Sequence, residues 1–515
     1  MDIERILREY GYDIKDDMTR IYEDKEVKKI YFNTKNEAPF LIVYFLTGKK
    51  KYEINQLYDK YFEEMDLLCS LFWVISKDGQ SVYSKNLKTG QYSAIREIVC
   101  YNRKQRTNVE SEKILSADFE NVFFEAHSFL RDIDGLHPDE ALDELCKMIY
   151  AKLYDEENKN GIFGGNYGNS EEYSVSIRKI YKQANEYDIR VFSLKIPGYK
   201  RSRGVFDEDI KLSTNAIYKV SKLFSRYNFS KSDIDIKARA FQNVYKPTTR
   251  SGMGQYFTPL QVIRFVVKCL SPTSSDLIID PFAGSAHFLT EALNHVSTEI
   301  VGEKEKHEFI FYKLHGIEKS ERMVRIAMTD MRLHGDGHSN IRCTDSLLSF
   351  DSYTDLEEEM FDIVMTNPPF GSNLQKESYS YLGKFEFLEE KGKVPLEVLG
   401  LERSIQLLRE GGKLGIVLPD SIFVNKSYSY VREWIAKNVK VRALISLPLS
   451  TFTPYGANIK TSVLIASKEV CNSNYNIFTG IIENIGFDNK GETIDGADWL
   501  QVAEEFQHFI DKEGW

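Results

Sequence analysis

Short apolar runs separated by polar turns occupy the first part of the chain. Their length is that of β-strands, and a stretch with helical spacing, residues 54–65, lies among them. The runs are residues 29–32, 40–46 and 71–75. We therefore predict a small α/β domain over residues 1–105, followed by a polar linker at 102–113.

A helical spacing of apolar residues replaces this pattern in the second part of the chain. Positions such as Ala141, Leu145 and Ile149 follow one another at helical intervals, while strand signals largely disappear. Asn and Gly are frequent between residues 155 and 171, which predicts a loop there. The second part, residues 117–245, is therefore predicted to be a helical domain.

After Gly252 the pattern alternates strand-like runs with helices. The predicted strands are residues 276–280, 312–318, 361–366, 413–419, 441–447 and 461–467. Such alternation is typical of a parallel sheet that carries helices on both faces. We assign residues 250–470 to an α/β catalytic domain and residues 471–515 to a C-terminal extension.

Composition argues against a membrane-spanning protein. The longest apolar run, residues 40–46, is far shorter than the roughly 20 residues that span a membrane, and no leader pattern opens the chain. We therefore expect a cytoplasmic protein. The six cysteines include no C-x-x-C pair and have no histidine at zinc spacing, which predicts reduced thiols and no metal site.

The formal net charge of −10 bears on the choice of partner. Phosphate contacts in nucleic-acid-binding proteins come from clustered Lys and Arg. Small basic clusters lie at residues 49–51, 103–106 and 200–203, although such clusters are more often solvated loops. Either the basic groups gather on one surface or a partner supplies them.

A loop of small residues follows the first strand of the α/β domain. It reads Asp280-Pro281-Phe282-Ala283-Gly284-Ser285-Ala286-His287. Such a loop lets the backbone approach a ligand at the N-terminus of the next helix, predicted over residues 288–293. Alone this signal is weak, because many α/β proteins turn tightly between a strand and a helix.

Two acidic residues follow the next strands. Glu318 ends the strand 312–318, where a carboxylate can accept hydrogen bonds from ribose hydroxyls. A nicotinamide cofactor is disfavoured, because G-x-G-x-x-G is absent and Glu318 lies further from the glycine loop than the roughly 20 residues of that fingerprint. Asp345 can accept a hydrogen bond from the adenine amine of a nucleoside cofactor, or cap a helix at residues 347–348. Both interpretations of Asp345 stay open.

The strand 361–366 runs directly into Asn367-Pro368-Pro369-Phe370-Gly371. The two prolines restrict the backbone and remove donors, so the carbonyl oxygens of Asn367 and Pro368 can point at an amino group. The amine of adenine is a poor nucleophile, because its lone pair is delocalised into the ring. Two acceptors aligned on its hydrogens favour a pyramidal nitrogen with its lone pair towards a methyl donor. Phe370 would stack on the base, whereas a plain turn needs none of these residues.

Together these motifs resemble those of adenine-specific DNA methyltransferases, and most closely the modification subunits of type I restriction-modification systems. The resemblance covers residues 238–468. Besides the Asp280 loop, Glu318, Asp345 and Asn367-Pro368-Pro369-Phe370, the matching segments are Ala240-Phe241-Gln242, Gly254-Gln255-Tyr256-Phe257-Thr258-Pro259, Gly411-Gly412-Lys413-Leu414-Gly415-Ile416-Val417-Leu418-Pro419, Ile445-Ser446-Leu447-Pro448 and Lys460-Thr461-Ser462.

The resemblance implies a class I S-adenosylmethionine-dependent methyltransferase domain of Rossmann-like α/β fold, preceded by the helical domain and the small N-terminal α/β domain. S-adenosylmethionine is then the methyl donor, and the acceptor is an adenine flipped out of duplex DNA. The implied catalytic residues are Asn367, Pro368, Pro369 and Phe370. The implied cofactor-binding residues are Gln255, Tyr256, Phe257, Thr258, Pro259, Asp280, Gly284, Ser285, Ala286, Glu318 and Asp345.

Two local expectations accompany this resemblance. Thr258 and Pro259 suit the N-cap and first positions of a helix that begins at Leu260, while residues 255–259 line the methionine end of the cofactor. Ala286-His287 stands where the family usually has a glycine-rich pair, a departure that bears on cofactor affinity. We expect His287 to be a tolerated helix-face residue rather than part of the cofactor pocket.

The segments before Gly252 resemble other parts of these systems. The helical domain is similar to the N-terminal domain of modification subunits, and the first hundred residues resemble the nuclease-like domain of restriction subunits. Such nucleases hold a metal with Glu-x-Lys on a core strand, which here reads Ile42-Val43-Tyr44-Phe45-Leu46. We therefore expect a degenerate interaction or DNA-backbone-binding domain without DNA cleavage.

The resemblance also implies partners. Residues 469–515 are too few for a target-recognition domain of ordinary size, so a separate specificity subunit is expected beside duplex DNA, with a restriction subunit as a further partner. Two alternatives remain. The same chemistry can serve a protein glutamine or RNA, against which the 255–259 segment argues. Ala286-His287 and the degenerate N-terminal domain instead suggest a catalytically silent scaffold of a DNA-defence complex.

Overall fold

The computed structural model contains two compact units, Met1–Ile114 and Leu115–Trp515, and each is considered by itself. Its described residues are 19–23, 27–33, 39–46, 71–76, 79–85, 92–95, 119–165, 167–195, 208–230, 240–241, 244, 257–300, 302–334, 340–375, 382–469 and 474–515. Within these ranges no helix is both long enough and apolar enough to cross a membrane.

The described part of the first unit forms one sheet. Its strands follow in chain order: β1 (Thr19–Glu23), β2 (Val27–Asn33), β3 (Pro39–Leu46), β4 (Leu71–Ser76), β5 (Gly79–Lys85) and β6 (Tyr92–Ile95). The β3–β4 pair is parallel, and its neighbours are antiparallel. Successive residues of β3, from Leu41 to Tyr44, are all buried, so both faces of this central strand are covered.

Three of these strands were predicted, and β2, β3 and β4 confirm them. The strands β1, β5 and β6 were missed, because their mixed polar and apolar residues give no continuous apolar run. The predicted helix at 54–65 and the linker at 102–113 lie outside the described residues. The likeness of this unit to a nuclease stays a prediction.

The second unit begins with a helical segment, as predicted. Its helices are α1 (Phe119–Asp134), α2 (Pro138–Glu157), α3 (Ser170–Lys195) and α4 (Thr214–Phe224). The predicted loop at 155–171 corresponds to the connection between α2 and α3. Edge-to-face aromatic contacts fill the core, where the ring of Phe123 meets those of Phe224, Phe229 and Phe241.

A mostly parallel sheet follows this helical segment. Its strands are β7 (Ile278–Asp280), β8 (Leu314–Glu318), β9 (Asn340–Cys343), β10 (Phe361–Thr366), β13 (Leu408–Pro419), β14 (Lys440–Ser446), β15 (Thr461–Ser467) and β16 (Phe478–Ile481), while β11 (Asn373–Gln375) and β12 (Lys393–Pro395) form a separate pair. The order across the sheet is β9-β8-β7-β10-β13-β15-β14-β16. Only β15 runs antiparallel to its described neighbours.

Helices cover both faces of this sheet. They are α5 (Leu260–Leu270), α6 (His287–Ser297), α7 (Glu303–Tyr312), α8 (Glu321–Leu333), α9 (Glu386–Lys391), α10 (Leu396–Leu407), α11 (Ser421–Val424), α12 (Ser429–Asn438) and α13 (Trp499–Glu513). Each face of the sheet has its own hydrophobic core. Successive residues of β10 lie in different cores, Ile363 in one and Val364 in the other. This alternation is what a parallel sheet buried on two faces requires.

Charged contacts join the helical segment to α8, one of the helices that cover the sheet. Arg325 of α8 donates to Asp143 of α2 over 2.6 Å, and Arg332 donates to Glu157 over 2.8 Å. Both arginines are buried, so removing all of the acidic partners of either one would leave an uncompensated charge at a cost of several kcal/mol. The helical segment therefore packs as part of the same compact unit as the sheet.

The chain order of the strands reverses between β7 and β10. From β7 the chain moves outwards through β8 and β9, then crosses back to β10 on the other side of β7. In open α/β sheets, the carboxyl ends of the strands at such a reversal leave a crevice that binds ligands. Asp280 ends β7 and Asn367 directly follows β10, so the fold brings two predicted site residues to this crevice.

Candidate active site

A cleft opens at the crevice between β7 and β10. Six of the residues predicted for the site line it: Phe257, Thr258, Asp280, Gly284, Ser285 and Asn367. They come from three separate stretches of sequence, which the parallel strands bring to one edge of the sheet. The cleft thus joins the small-residue loop to the segment that follows β10.

The side-chain amide of Asn367 is fixed in this cleft. Its Nδ2 donates a hydrogen bond to the hydroxyl oxygen of Thr258 over 2.9 Å. Its Oδ1 is buried, and none of the described residues donates a hydrogen bond to it. A buried carbonyl oxygen without a donor costs about 1–3 kcal/mol, so this atom is a strong acceptor held ready for a ligand.

Thr258 has a different task from the expected helix N-cap. Helix α5 begins at Leu260 as predicted, but its N-cap residue is Pro259, and no side chain caps it. The hydroxyl of Thr258 accepts the hydrogen bond from Asn367 instead. Pro259 consequently occupies the cap rather than the first helical position, and it does not line the cleft.

Helix α10 packs against the loop at residues 367–371. Pro368 is buried, and a Cβ atom added to Gly400 would lie 2.5 Å from the Cβ of Pro368. Only a glycine therefore allows this approach of the helix to the loop. Pro369 is exposed, so the two prolines of the motif meet different surroundings.

Phe370 is more enclosed than a free stacking platform. It is 7% exposed, and its ring meets that of Phe452 edge to face, with 6.3 Å between the centroids. The ring does not line the cleft at β7. Stacking of Phe370 on a base stays a prediction, and it requires a base to enter beside the Phe370 and Phe452 rings.

Asp280 is a buried carboxyl at the end of β7. Its Oδ1 accepts hydrogen bonds from the Thr366 hydroxyl over 2.6 Å and from the Phe282 amide over 3.0 Å. Burial raises the pKa of Asp280 to about 7, although both hydrogen bonds act in the opposite direction. Near neutral pH this group is therefore poised between its two protonation states.

Glu318 organises the loop at the next strand. One oxygen of its carboxylate accepts from the Gly284 amide over 3.1 Å, and the other accepts from the Ser320 amide over 2.7 Å. Burial raises the pKa of Glu318, while these hydrogen bonds lower it. Glu318 lies beside the cleft rather than among the residues that line it. Each oxygen keeps a second acceptor position for a hydroxyl donor.

Asp345 forms an Asx turn and caps no helix. Its Oδ1 accepts from the Leu347 amide over 3.0 Å, but residues 346–347 form a turn, so of the two open interpretations the helix cap is wrong. Its Oδ2 receives a hydrogen bond from Lys319 over 2.9 Å. Asp345 does not line the cleft. Its contact with a cofactor adenine stays a prediction.

Ala286 and His287 depart from the family pattern in two ways. Ala286 adopts the left-handed region with φ +63, which costs an alanine roughly 1–2 kcal/mol more than a glycine. His287, the first residue of α6, lines the cleft, contrary to our expectation that it only faces the helix surface. Its Nε2 lies 3.6 Å from the buried Asp330, and burial lowers the pKa of His287 to about 3. A neutral imidazole thus forms part of the cleft wall.

Two of the predicted cofactor residues, Gln255 and Tyr256, lie outside the described part of the chain. Gly284 is well placed for a ligand, because its φ is +51 and nothing stands within 4 Å of a Cβ built on it. The cleft is further lined by residues that were not among the predicted site residues: Ile263, Phe282, Ala283, His287, Phe288 and Met323. Phe282 and Ala283 could have been included as members of the same loop. The others are spaced like ordinary core residues of helices.

Thr366 is a further residue that the prediction missed. Its hydroxyl bonds to Asp280 across neighbouring strands. Strand periodicity places Thr366 in β10 but gives no sign of a polar partner in β7. The one available signal is its position directly before Asn367.

Comparison with known proteins relates this geometry to a family. The model of the family described as N-6 DNA Methylase matches residues 240–515, which is more than half of the chain and includes the whole described cleft. The chain belongs to the N-6 DNA Methylase family. The family assignment predicted from the motifs is therefore confirmed, without extending to the first unit.

This member of the N-6 DNA Methylase family is similar to methylase subunits of type I restriction enzymes. It is 28% identical over 235 residues to the EcoEI methylase subunit of Escherichia coli, a match that covers 44% of this chain and 46% of the relative. It is 29% identical over 236 residues to the StySPI methylase subunit of Salmonella potsdam, covering 43% and 41%. The chain spans less than half the length of these curated relatives.

Solved structures share the fold of this family member. A chain from the type I R-M system matches with a TM-score of 0.59 at 18% identity, covering 78% of this chain and 85% of that one. The methyltransferase subunit of a type I restriction-modification system from Streptococcus thermophilus matches with a TM-score of 0.53 at 14% identity, covering 78% and 94%. The predicted α/β methyltransferase fold with a preceding helical segment is thereby confirmed.

Proposed function

We propose that this chain is a DNA methyltransferase that transfers a methyl group from S-adenosylmethionine to the exocyclic N6 amine of adenine. The observation that carries the proposal is the buried Oδ1 of Asn367, an acceptor without a donor among the described residues. Its amide is held by Thr258 at the end of a parallel strand, in a cleft that the Gly284 turn also lines.

The residues of the cleft suit the cofactor. S-adenosylmethionine, when bound, supplies a methyl group on a positively charged sulfur. Gly284, which has open space at its Cβ position, and Ser285 line the cleft in the loop before α6, and Glu318 offers carboxylate oxygens for the ribose hydroxyls. Asp280 places a titratable carboxyl in the wall, and its ionised form attracts a cation. We assign Asp345 to contact the adenine of S-adenosylmethionine, and residues 255–259 to contact its methionine end.

Asn367 acts on the amine that accepts the methyl group. Its Oδ1 accepts one hydrogen of the N6 amine, and the carbonyl oxygen of Pro368 accepts the other. Two fixed acceptors hold the nitrogen pyramidal and direct its lone pair towards the cofactor cleft. Because Thr258 and the packing of α10 fix these acceptors in advance, little reorganisation is required during the reaction.

The partners belong to the same proposal. Similarity to type I methylase subunits supports duplex DNA as the substrate and a separate specificity subunit as the source of sequence recognition. The net charge of −10 supports this division, because a partner would supply much of the phosphate contact. A restriction subunit is a further candidate partner.

The test uses the full chain, purified with and without the protein products of its neighbouring genes. Each preparation is incubated with duplex DNA and S-adenosylmethionine labelled in the methyl group, and the nucleosides are separated by mass. We expect labelled N6-methyladenine, with the highest yield when a specificity subunit is present. Label on release factors or ribosomal RNA instead of DNA would support the protein or RNA alternative.

The scaffold alternative has its own observation in this structure. The imidazole of His287 lines the cleft. Ala286 has a strained left-handed backbone in the loop that would hold the cofactor. Calorimetric titration of the full chain with S-adenosylmethionine separates the two functions. Heat from a single saturable site supports the enzyme, and no binding at millimolar cofactor supports the scaffold.

A further inference from the structure

The segment after β9, residues 345–353, is fixed by hydrogen bonds from within and from a distant part of the chain. We call it the Asp345 turn. Besides the bond from the Leu347 amide to the Asp345 carboxylate, the Tyr353 hydroxyl donates to the Asp345 carbonyl over 2.5 Å. From outside, the Gly383 amide donates to the Leu347 carbonyl over 2.9 Å. The position of the Asp345 carboxylate therefore depends on how this turn is held.

Arg403 of α10 reaches the Asp345 turn from the other side. Its Nη2 donates a hydrogen bond to the Leu348 carbonyl over 2.7 Å. Its Cζ lies 4.2 Å from the centroid of the Phe350 ring and 4.9 Å from that of Phe385, distances typical of cation–π contacts. A Cβ atom added to Gly383 would lie 2.5 Å from Nη2. The guanidinium thus fills the space between the turn and the segment that contains Gly383 and Phe385.

Arg403 is an expensive residue for such a position. Its side chain is 1% exposed, and its Nε and Nη1 have no acceptor among the residues that the structure describes. Burial lowers the pKa of Arg403 to about 10, so the group still carries its charge near neutral pH. A buried cation with unused donors costs stability, and an unbranched apolar side chain would avoid that cost. Stability alone does not account for an arginine here.

The helix that carries Arg403 also contacts the loop that follows β10. Gly400, one turn before Arg403, approaches Pro368 so closely that an added Cβ would collide with the proline ring. Successive turns of α10 therefore contact the loop of Asn367 and the Asp345 turn. Arg403 belongs to the turn on the side where we assign the adenine of the cofactor.

We propose that Arg403 is a positioning residue for cofactor binding, which holds the Asp345 turn through the Leu348 carbonyl and so places Asp345 to accept a hydrogen bond from the adenine amine of S-adenosylmethionine. The inference rests on the proposed function. Each carboxylate oxygen of Asp345 accepts one hydrogen bond in the structure and has a second acceptor position for the amine. Arg403 does not line the cleft, so it acts through the turn rather than by touching the cofactor.

The structure offers a matched control, a second buried arginine in the same sheet. Arg442 of β14 is 2% exposed, and it donates to the Ser467 hydroxyl, the Gly514 carbonyl and the Glu469 carboxylate. It lies near the amino end of its strand, whereas the cleft is at the carboxyl ends of the strands. Arg442→Met therefore removes a buried guanidinium without touching the Asp345 turn.

The experiment measures how the full chain distinguishes two ligands by calorimetry. They are S-adenosylhomocysteine and S-inosylhomocysteine, in which an oxygen replaces the adenine amine. Wild type should prefer the first, because the second offers Asp345 no amine. In Arg403→Met this preference should fall roughly tenfold, the scale of one hydrogen bond to a charged group. It should fall in Asp345→Asn as well, whereas Arg442→Met should keep it even if its melting temperature drops.

A second variant keeps Arg403 and displaces its guanidinium. Gly383→Ala adds a Cβ next to Nη2, and the backbone of Gly383 is not in the left-handed region, so alanine is tolerated there. Its preference for S-adenosylhomocysteine should fall in the same direction as that of Arg403→Met. A wild-type preference in both variants overturns the positioning role, and so does a wild-type chain that binds both ligands equally.

Hydrogen exchange followed by mass spectrometry tests the turn without any ligand. The peptide that contains the Leu347 amide should exchange faster in Arg403→Met than in wild type, and at the wild-type rate in Arg442→Met. Unchanged exchange in Arg403→Met overturns the inference. If the wild-type chain binds neither S-adenosylmethionine nor S-adenosylhomocysteine, the proposed function fails, whereas the exchange data still decide whether Arg403 holds the Asp345 turn.

Discussion

The side-chain amide of Asn367 donates a hydrogen bond to the hydroxyl oxygen of Thr258, a residue 109 positions earlier in the chain. This bond occupies the nitrogen end of the amide, and the Oδ1 at its other end is buried without a donor among the described residues. The orientation of the acceptor therefore depends on a residue from a separate stretch of the chain. Methyl transfer should be sensitive to Thr258 for this reason.

Thr258→Val removes the acceptor while keeping the shape of the side chain. A hydrogen bond of this kind is worth about 1 kcal/mol, so we expect kcat to fall roughly fivefold. Thr258→Ser keeps the hydroxyl and should retain most of the wild-type rate. Steady-state methylation of duplex DNA measures the difference. Equal rates in Thr258→Val and wild type would contradict the role of Thr258 in orienting the Asn367 amide.

Glu318→Gln tests the predicted ribose contact. Both carboxylate oxygens accept backbone amides, and glutamine replaces one of these acceptors with a donor. Losing one hydrogen bond to a charged group costs about 1.5–3 kcal/mol, which corresponds to a roughly tenfold to hundredfold weaker Kd for S-adenosylmethionine. The exposed Glu321 on the following helix provides a control, because Glu321→Gln should leave the Kd unchanged.

The same residue predicts a pH dependence of cofactor binding. Burial raises the pKa of Glu318 above its ordinary value, so protonation begins at a higher pH than for an exposed glutamate. The protonated acid accepts fewer hydrogen bonds, and affinity should therefore fall as the pH drops through this pKa. Calorimetric titrations across the acidic range should show this fall in wild type and not in Glu318→Gln.

Asp280→Asn should change the pH dependence of stability. The pKa of Asp280 is about 7 in the folded chain and near 3.8 in the unfolded chain, so the folded state binds the proton more tightly between these values. The contribution of Asp280 to stability is thus largest at low pH and is lost as the pH rises to about 7. Asparagine still accepts hydrogen bonds from Thr366 and Phe282 without titrating. At pH 8 the variant should melt at a higher temperature than wild type, and identical melting profiles over this range would contradict the assignment.

Phe370→Leu separates base stacking from packing. Leucine preserves much of the contact with Phe452, but it offers no aromatic face, and stacking on a base is worth about 1–3 kcal/mol. We expect kcat/KM for DNA to fall while the Kd for S-adenosylmethionine stays unchanged, and Phe370→Tyr to retain activity. A loss of cofactor affinity in Phe370→Leu would show instead that the ring supports the cleft.

The sequence predicted the parts of the fold that depend on neighbouring residues. Apolar strands of ordinary length, such as residues 361–366, were identified with their observed ends. The strand at 413–419 was predicted too short, because its first residues are polar and Gly411 and Gly412 interrupt the apolar run, whereas the structure begins β13 at Leu408. The residues at 312–313 belong to the end of α7 and its cap rather than to β8.

The site was predictable to the extent that a motif ends a strand. Asp280, Glu318 and Asn367 follow strand signals, and the reversal of strand order gathers them at one edge. The task of Thr258 depends on a partner that is distant in sequence, so no local pattern reveals it. Thr258 has the spacing of a helix cap.

Under the proposed function, Asn367 activates adenine in DNA for methyl transfer. The most direct measurement is the N6-methyladenine content of DNA from cells that express the chain with its neighbouring genes, compared between wild type and Asn367→Ala. We expect N6-methyladenine at a defined sequence in wild type and none above background in Asn367→Ala, with S-adenosylmethionine binding retained in the purified variant. Equal N6-methyladenine in both strains would contradict the role of Asn367, and its absence from both would contradict the proposed function.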